Sequence, residues 1–437
     1  MSESNATPYV FELIEIDSER LDTPIDIRSL VTDVEMFEHL DKSYMTGKIV
    51  LLDSIRLLEG LDLIGGERVT ITISGSAETD VPFTNNFHIV QVETYKGKDN
   101  IQTVILNLIE SHAFESNLKN INRYYTGKAS EIATTIADNF LERELAHLDE
   151  DKKTQSLIVP NMDPLTAIKW ICGNATTTNG YPFYVFSTAF SEKLFMLDLG
   201  TMLKSDATNK IPYNLASVNT TATLDPVKRK TAHDFKFGKG KSIFDLISDA
   251  VIASNYRFLN THADTNEITW DVIFDLFDEL IGDGVIKADQ RNVPFSDKYK
   301  INGRSFNQLP SFTISKIGGS YAYRETDDEE YGLGYAEERT AAEYKLHLIK
   351  DAMRKLFAAE TPLTIVVNGY DFIGTDLPTT IGNTIDVVVP KASPETTEGE
   401  DDLDLAKSGN YLIYAARHMF KKGRYDISFL CSKIGRK

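Results

Sequence analysis

Alternation of apolar and polar positions outlines the first part of the chain. In "LDLIGGERVTITI" (Leu61–Ile73), Val69, Ile71 and Ile73 point one way and Arg68, Thr70 and Thr72 the other, which is the period of a half-buried strand. Gly65 and Gly66 supply the turn that feeds it. Tyr9–Ile16, Ile25–Phe37, Gly47–Ser54 and Asn86–Tyr95 also read as strands. The last of these meets Ile101–Glu110 across "KGKDN", which predicts a hairpin.

After His112 the period lengthens. In "GKASEIATTIADNFLERELAHL", Ile132, Ile136 and Phe140 recur at helical spacing. "MDPLTAIKWICGNA" predicts a second helix, with Asp163 as N-cap, Pro164 in the first helical position, and Leu165, Ile168 and Cys172 on one face. "YPFYVFST" and "EKLFMLDLG" then predict a hairpin, and "KSDATNKIPYNLASVNTTATLDP" reads as a polar linker. Further on, "KSIFDLISDAVIASNY" predicts a helix with Ile243, Leu246, Ile247 and Val251 inward, and "WDVIFDLFDELI" adds an apolar-acidic segment. Tyr335–Glu360 is the longest helix, built from strong helix formers.

The C-terminal pattern repeats the N-terminal one. "LTIVV" precedes "IGNTIDVVV" (Ile381–Val389) as Ile49–Leu52 precedes "IGGERVTITI". Both copies continue through a polar stretch into a hairpin, "NFHIVQVETYKGKDNIQTVILNL" in one and "GNYLIYAARHMFKKGRYDISFLC" in the other. The second copy is longer, and its excess falls in "KASPETTEGEDDLDLAKSGN". Gly47–Ser111 and Leu363–Ser432 are therefore expected to form the same β-unit, with Gly65 and Gly382 in equivalent turns. The loop Lys391–Gly409, with Glu395, Glu398, Glu400, Asp401, Asp402 and Asp404, is expected to lie exposed, since six acids are not buried without partners. The expected organisation is α+β and multidomain. It has a β domain over residues 1–112, an α/β domain over 113–215, and a second β domain over 216–437 with a helical insertion at about 255–339.

Composition narrows what such a chain can do. Its 437 residues are 42% hydrophobic and 25% charged, ordinary for a globular protein with a sizeable core. The net charge of −19 repels nucleic acid and anionic membrane, so DNA would pass such a surface without being gripped. Cys172 and Cys431 sit in apolar contexts and read as buried free thiols. The opening "MSESNATPYVFEL" lacks a basic region followed by an apolar one, and no apolar run reaches spanning length, so folding in a reducing cytoplasm is expected.

Candidate chemistry is sparse. A phosphate-binding glycine loop needs to open a helix, whereas the glycines at Gly65 and Gly382 open strands and read as scaffold turns. "FGKGKS" (Phe237–Ser242) ends like a P-loop, but the position that needs the first glycine is Phe235; a turn with Ser242 as N-cap is the better reading. Among the eight histidines (His39, His88, His112, His147, His233, His262, His347 and His418) no pair has zincin spacing. The acidic runs Thr326–Gly332 and Glu398–Asp404 read as solvated loop tips. No nucleophile elbow or Cys/His motif stands out. No catalytic, cofactor-binding or metal-binding residue is expected, and no enzymatic activity.

Three passages carry a resemblance: "MTGKIVLLDSIRLLEGLDLIGGERVTITI", "DPLTAIKWICGNATTTNGYPFYVFST" and "LTIVVNGYDFIGTDLPTTIGNTIDVVVP". Taken in order, they resemble the central baseplate hub subunit of contractile-tailed bacteriophages, a family related to the hub part of type VI secretion spike proteins. The resemblance implies two domains with the tail-tube fold and a homotrimer whose six such domains form a ring. That ring would adapt a sixfold tail tube to a threefold spike and serve as a conduit for DNA ejection. The implied partners are the tail tube protein, a separate spike protein and the baseplate wedge proteins, with no membrane insertion. The implied location is the virion tail, assembled in the host cytoplasm. The spike is implied to be a separate chain because no Gly-rich β-helix or OB-like module follows the second repeat. Two other readings stay open: a tail-borne enzyme acting on cell wall or polysaccharide through paired carboxylates, and the hub of a non-viral contractile injection system.

Overall fold

The computed structural model describes residues 9–18, 23–53, 61, 63–75, 82–96, 102–147, 154–207, 209–212, 232, 234–238, 242–249, 254–260, 268–272, 281–285, 300–305, 312–318, 341–359, 362–372, 380–389, 404, 407–421 and 423–433. These residues are mostly β, with one large and mainly antiparallel sheet and few helices, an α+β fold. The N-terminal strands are β1 (Tyr9–Asp17), β2 (Ile25–Asp26), β3 (Val31–His39), β4 (Thr46–Asp53), β5 (Arg68–Gly75), β6 (Phe83–Lys96) and β7 (Gln102–Glu110). They lie in the order β3-β4-β7-β6-β5-β1-β2, each antiparallel to its neighbours. Alternation does its work here: Val69, Ile71 and Ile73 are buried, while Arg68, Thr70 and Thr72 face outward.

The next stretch packs helices on two small sheets around its own apolar cluster. It comprises α1 (Ser111–Asn117), β8 (Ile121–Gly127), α2 (Ala129–Ile136), β9 (Leu145–His147), β10 (Gln155–Met162), α3 (Pro164–Asn174), β11 (Phe183–Thr188), β12 (Ser191–Asp198) and α4 (Leu199–Lys204). Asp163 caps α3 by accepting from the Thr166 N–H at 3.1 Å, and Leu165, Ile168 and Cys172 are buried on its inner face. The stretch "GKASEIATTIADNFLERELAHL", expected as one helix, leaves the helix early. It passes into a π turn over Ala137–Leu141, Glu142 takes a left-handed φ of 51°, and Leu145–His147 pairs with β12 as a parallel strand.

The remaining elements are β13 (Asn209–Pro212), β14 (Asp234–Phe237), α5 (Ile243–Ser248), β15 (Ser254–Asn260), β16 (Ile268–Val272), β17 (Lys300–Ile301), β18 (Arg304–Ser305), β19 (Phe312–Gly318), α6 (Ala341–Ala359), β20 (Leu363–Asn368), β21 (Thr384–Val388), β22 (Gly409–Lys421) and β23 (Arg424–Ser432). Three expectations are corrected here. Asn209–Pro212, read as linker, is a strand that pairs with β21. Among the described residues the helix expected over "KSIFDLISDAVIASNY" covers Ile243–Ser248, Val251 lies outside them, and Ser254–Tyr256 already belongs to a strand. The described part of the insertion is chiefly strand, β16-β15-β19 in one small sheet and β17-β18 in another, because Tyr256 and Phe258, Ile268 and Trp270, and Phe312 and Ile314 alternate with polar residues. The acidic loop Lys391–Gly409 lies largely outside the described residues, as do His233, His262 and the acidic run Thr326–Gly332.

The second set of strands runs in the order β14-β20-β23-β22-β21-β13. Position by position this matches β3-β4-β7-β6-β5-β1. Register agrees as well as order. Val69 faces Phe87 as Ile385 faces Tyr411; Ile49 faces Leu106 as Ile365 faces Phe429; Val34 faces Ile49 as Phe235 faces Ile365. Both hairpins break register at the same place, between Ile89 and Gln91 in one and between Ile413 and Ala415 in the other. Hydrogen bonds at the glycine turns correct the expected equivalence. Gly66 N–H donates to the Ile89 carbonyl at 2.7 Å and Gly382 N–H to the Ile413 carbonyl at 3.0 Å, so the counterpart of Gly382 is Gly66 and not Gly65. The doubled glycine offered two alignments, and the strand's alternation picks the second. Outermost, the copies differ: β1 lies antiparallel to β5, but β13 lies parallel to β21. One apolar cluster runs through both copies, from Ile14 and Phe87 to Tyr411 and Phe429.

Candidate functional site

The two copies meet through one strand pair. Ala415–Lys421 of β22 lies antiparallel against Asp33–His39 of β3 and makes a single continuous sheet. Two ion pairs line its outer face: Arg417 Nη2 to Glu35 Oε1 at 2.6 Å, and Lys421 Nζ to Asp33 Oδ1 at 2.8 Å. Under the junction, Phe420 stacks on Tyr425 at 4.2 Å and meets Tyr9 edge-on at 5.3 Å, so the end of copy two is buried by the start of copy one.

A polar network is buried at the same junction. His418 and Glu38 are wholly enclosed, with Nε2 3.0 Å from Oε1. Glu38 also accepts from the Ala189 N–H at 2.6 Å and from the Thr380 hydroxyl at 2.5 Å, and His418 Nδ1 lies 2.8 Å from the Tyr425 hydroxyl. One carboxylate thereby ties together β3, the turn after β11, the approach to β21 and β22. Such a network fixes how the copies sit against each other, since each partner is costly to leave unmet.

Among the described residues, the same edges occur a second time without the strand that joins them inside the junction. The counterpart of the β22 half that pairs with β3 is the second half of β6, Gln91–Lys96, and among the described residues only β7 pairs with it. Tyr95 there is 55% exposed, and Val90, at the register break just before it, 51%. The counterpart of β3 is β14, which ends the sheet with β20 as its only described neighbour. Asp234 and Lys236 are exposed on it, while Phe235 and Phe237 turn partly onto the core.

The motifs noted in the sequence serve structure. Around Gly65 and Gly66, with φ of 102° and 91°, the anion is internal. The buried Glu67 carboxylate accepts from the Ile64 and Gly65 N–H groups at 3.1 and 3.0 Å, filling the place a phosphate would take. At "FGKGKS", Ser242 caps a six-residue helix, its hydroxyl accepting from the Asp245 N–H at 3.2 Å. Cys172 and Cys431 are buried thiols that form no disulfide, and burial pushes the Cys431 thiol well up. His88 stacks on Phe114 at 4.3 Å, and burial lowers its pKa. Among the described residues, no group of three His, Cys, Asp or Glu is placed to hold a metal, and no helix is long and apolar enough to cross a membrane.

Two grooves bear on the carboxylate-pair reading. One, of about 370 Å³, is lined by His39, Asp41, Lys169, Tyr184, Arg354 and Phe357 among others, and Asp41 is its one acid. Burial, helped by Asp41, pushes the Tyr184 hydroxyl up to about 12. The other, of about 380 Å³, contains Glu110, Glu115 and Glu192. Glu110 there is held 2.8 Å from the buried Arg143 guanidinium and accepts from the Met45 N–H at 2.8 Å. Burial alone would raise its pKa. Arg143, His112 and Met45 outweigh burial and bring it below the usual range, the reverse of what a general acid needs.

No family model and no curated protein matches the sequence. Solved structures do match. The tail protein from Neisseria meningitidis MC58 is 11% identical and aligns over 98% of this chain and 97% of its own, with a TM-score of 0.54. The 43 kDa tail protein of prophage MuSo2 from Shewanella oneidensis is 9% identical and aligns over 96% of this chain and 97% of its own, with a TM-score of 0.53. Nearly end to end, then, the chain has the fold of phage tail proteins.

Proposed function

We propose that this chain is the structural hub subunit of a contractile-tail baseplate. Three copies would close into a ring that presents six tube-like sheets, adapts the sixfold tail tube to a threefold spike, and leaves a bore for DNA. The observation that carries the reading is the duplicated six-strand unit, identical in order and matched in register. One such unit per subunit would give a trimer three docking sites for a sixfold tube; two remove the mismatch. The net charge of −19 suits a bore through which DNA slides without adhering. Tube, spike and wedge proteins are the proposed partners and the virion tail the proposed location.

The reading as a cell-wall enzyme has less to draw on, since the buried carboxylates Glu38, Glu67 and Glu110 are engaged in holding the fold. Native mass spectrometry of the chain alone and mixed with tube and spike proteins tests the ring: a trimer in any mixture supports it, and a monomer in every mixture refutes it. Peptidoglycan turnover abolished by a single carboxylate substitution would favour the enzyme instead.

A further inference from the structure

Each copy of the repeated unit has one edge that is inserted and one that receives it. Inside the subunit, the second half of β22 is inserted against β3. Among the described residues, the second half of β6 and the outer edge of β14 are the same two edges left over. An interface that joins one patch to a different patch generates a ring when its rotation closes, and unpaired edges are otherwise open to adventitious pairing.

We propose that subunits join by repeating the internal junction: Gln91–Lys96 of one subunit pairs antiparallel with Asp234–Phe237 of the next. The proposal rests on the ring reading above and deepens it by naming the edges, the register and an ion pair. Register follows from the internal junction, where His418 faces Met36 and Phe420 faces Val34. Carried over through the matched strands, Thr94 faces Phe237 and Lys96 faces Phe235 of the neighbour, with Tyr95 opposite Lys236. The apolar face then makes sense. Ala416 and His418 are buried at the internal junction, while their counterparts Val92 and Thr94 are only half-buried and exposed, respectively. A neighbouring subunit would cover them.

Charge supports this register. Arg417 pairs with Glu35 diagonally across the internal junction. Their counterparts are Glu93 and Lys236, opposite in sign to each other but with the signs exchanged between strands. The match is one of complementarity, and the exchange of signs disfavours β6 in the place of β22 against β3, where Glu93 would meet Glu35. The second internal pair, Lys421 with Asp33, has no counterpart, because the sequence position that matches Lys421 is a glycine, Gly97.

The test uses the full chain, alone at high concentration and together with tail tube and spike proteins. Zero-length carbodiimide coupling, followed by peptide mass spectrometry on mixed light- and heavy-isotope chains, should recover Glu93 joined to Lys236 between chains of different label. Glu93→Lys and Lys236→Glu should each lower the assembled fraction about tenfold at concentrations near half-assembly, and the double variant should restore it. Lys236 is exposed on a single subunit, so Lys236→Glu should leave the melting temperature of the unassembled chain unmoved; Glu93 accepts from the Tyr95 hydroxyl and the Asn107 amide at 2.8 Å each, so Glu93→Gln, which removes the charge and can still accept, is the control for loss of those bonds. A trimer that forms without this cross-link, and whose double reversal fails to restore assembly, overturns the junction while leaving the hub reading standing. A monomer in every mixture overturns both.

Discussion

The two copies of the repeated unit share a skeleton and differ in what their ends do. In copy one the last strand ends at the buried Glu110, which reaches Arg143 in the neighbouring α/β stretch. In copy two the matching position is Lys433, which turns back on its own sheet, donating to the Ser408 carbonyl at 3.1 Å and lying 5.1 Å from the centre of the Tyr411 ring. Copy one is the anchored end and copy two closes on itself. The long hairpins differ likewise: β22 has β3 as a second neighbour along its second half, and β6 has only β7 there among the described residues. Duplication therefore conserved the pairing order and the glycine turn. It left the strand ends free to specialise as linkage to the α/β stretch, internal junction and open edge.

The strongest way to break the comparison is at Glu38, which joins the two copies to each other and to the turn after β11. Glu38→Ala would take the carboxylate away from His418 Nε2 and leave the Thr380 hydroxyl and the Ala189 N–H without their acceptor, and should cost about 3–5 kcal/mol by denaturant unfolding. Glu110→Gln should cost about 2 kcal/mol, since an amide oxygen still accepts but no longer balances Arg143. It should also change the acid limb. The wild-type Glu110 pKa is lowered, so its contribution is present above the unfolded-state value and drains away as pH falls toward the folded one. A melting-temperature series from neutral to acid pH should be flatter for the variant on that side.

The glycine turns allow a matched test. Gly66 and Gly382 both have positive φ, but a Cβ at Gly382 would meet Phe186 Cζ at 3.0 Å, whereas at Gly66 the nearest atom is Phe114 Cζ at 3.7 Å. Gly382→Ala should cost about 2 kcal/mol and Gly66→Ala about 1, with the difference reporting the contact alone. The smallest effect should come from Arg417→Ala. Its pair with Glu35 is about half exposed on the arginine side and should contribute below about 1 kcal/mol to unfolding, falling further with added salt.

Much of this was legible in the sequence where one strand buries one face. Val69-Ile71-Ile73 and the C-terminal hairpin declare themselves through alternation, and Asp163-Pro164 announces its helix through side-chain chemistry that acts within three residues. What stayed hidden depends on partners far along the chain. Asn209–Pro212 is polar and becomes a strand because β21 offers it a parallel edge. Asp234–Phe237 is too short to show that it is the counterpart of β3. The junction itself joins Arg417 to Glu35 across a separation of 382 residues, and no local period encodes that. Glu38 and His418 looked like ordinary strand residues, since burial of a polar pair leaves no mark on either neighbourhood; the one available sign was a carboxylate on the apolar side of "VEMFEH".

Because β3 is sealed only by β22, translation order matters. A ribosome adds about 5–20 residues per second, so β3 emerges tens of seconds before the strand that will cover it. During that interval the nascent chain carries a bare edge with Val34 and Met36 on one face. The acids of this strand, Asp33, Glu35 and Glu38, then act as gatekeepers that repel the same strand on a neighbouring nascent chain. Two of them later become the ion-pair partners of Lys421 and Arg417, and the third disappears into the network around His418. The charges that hold the finished junction together are thus the ones that keep its first half from aggregating while it waits.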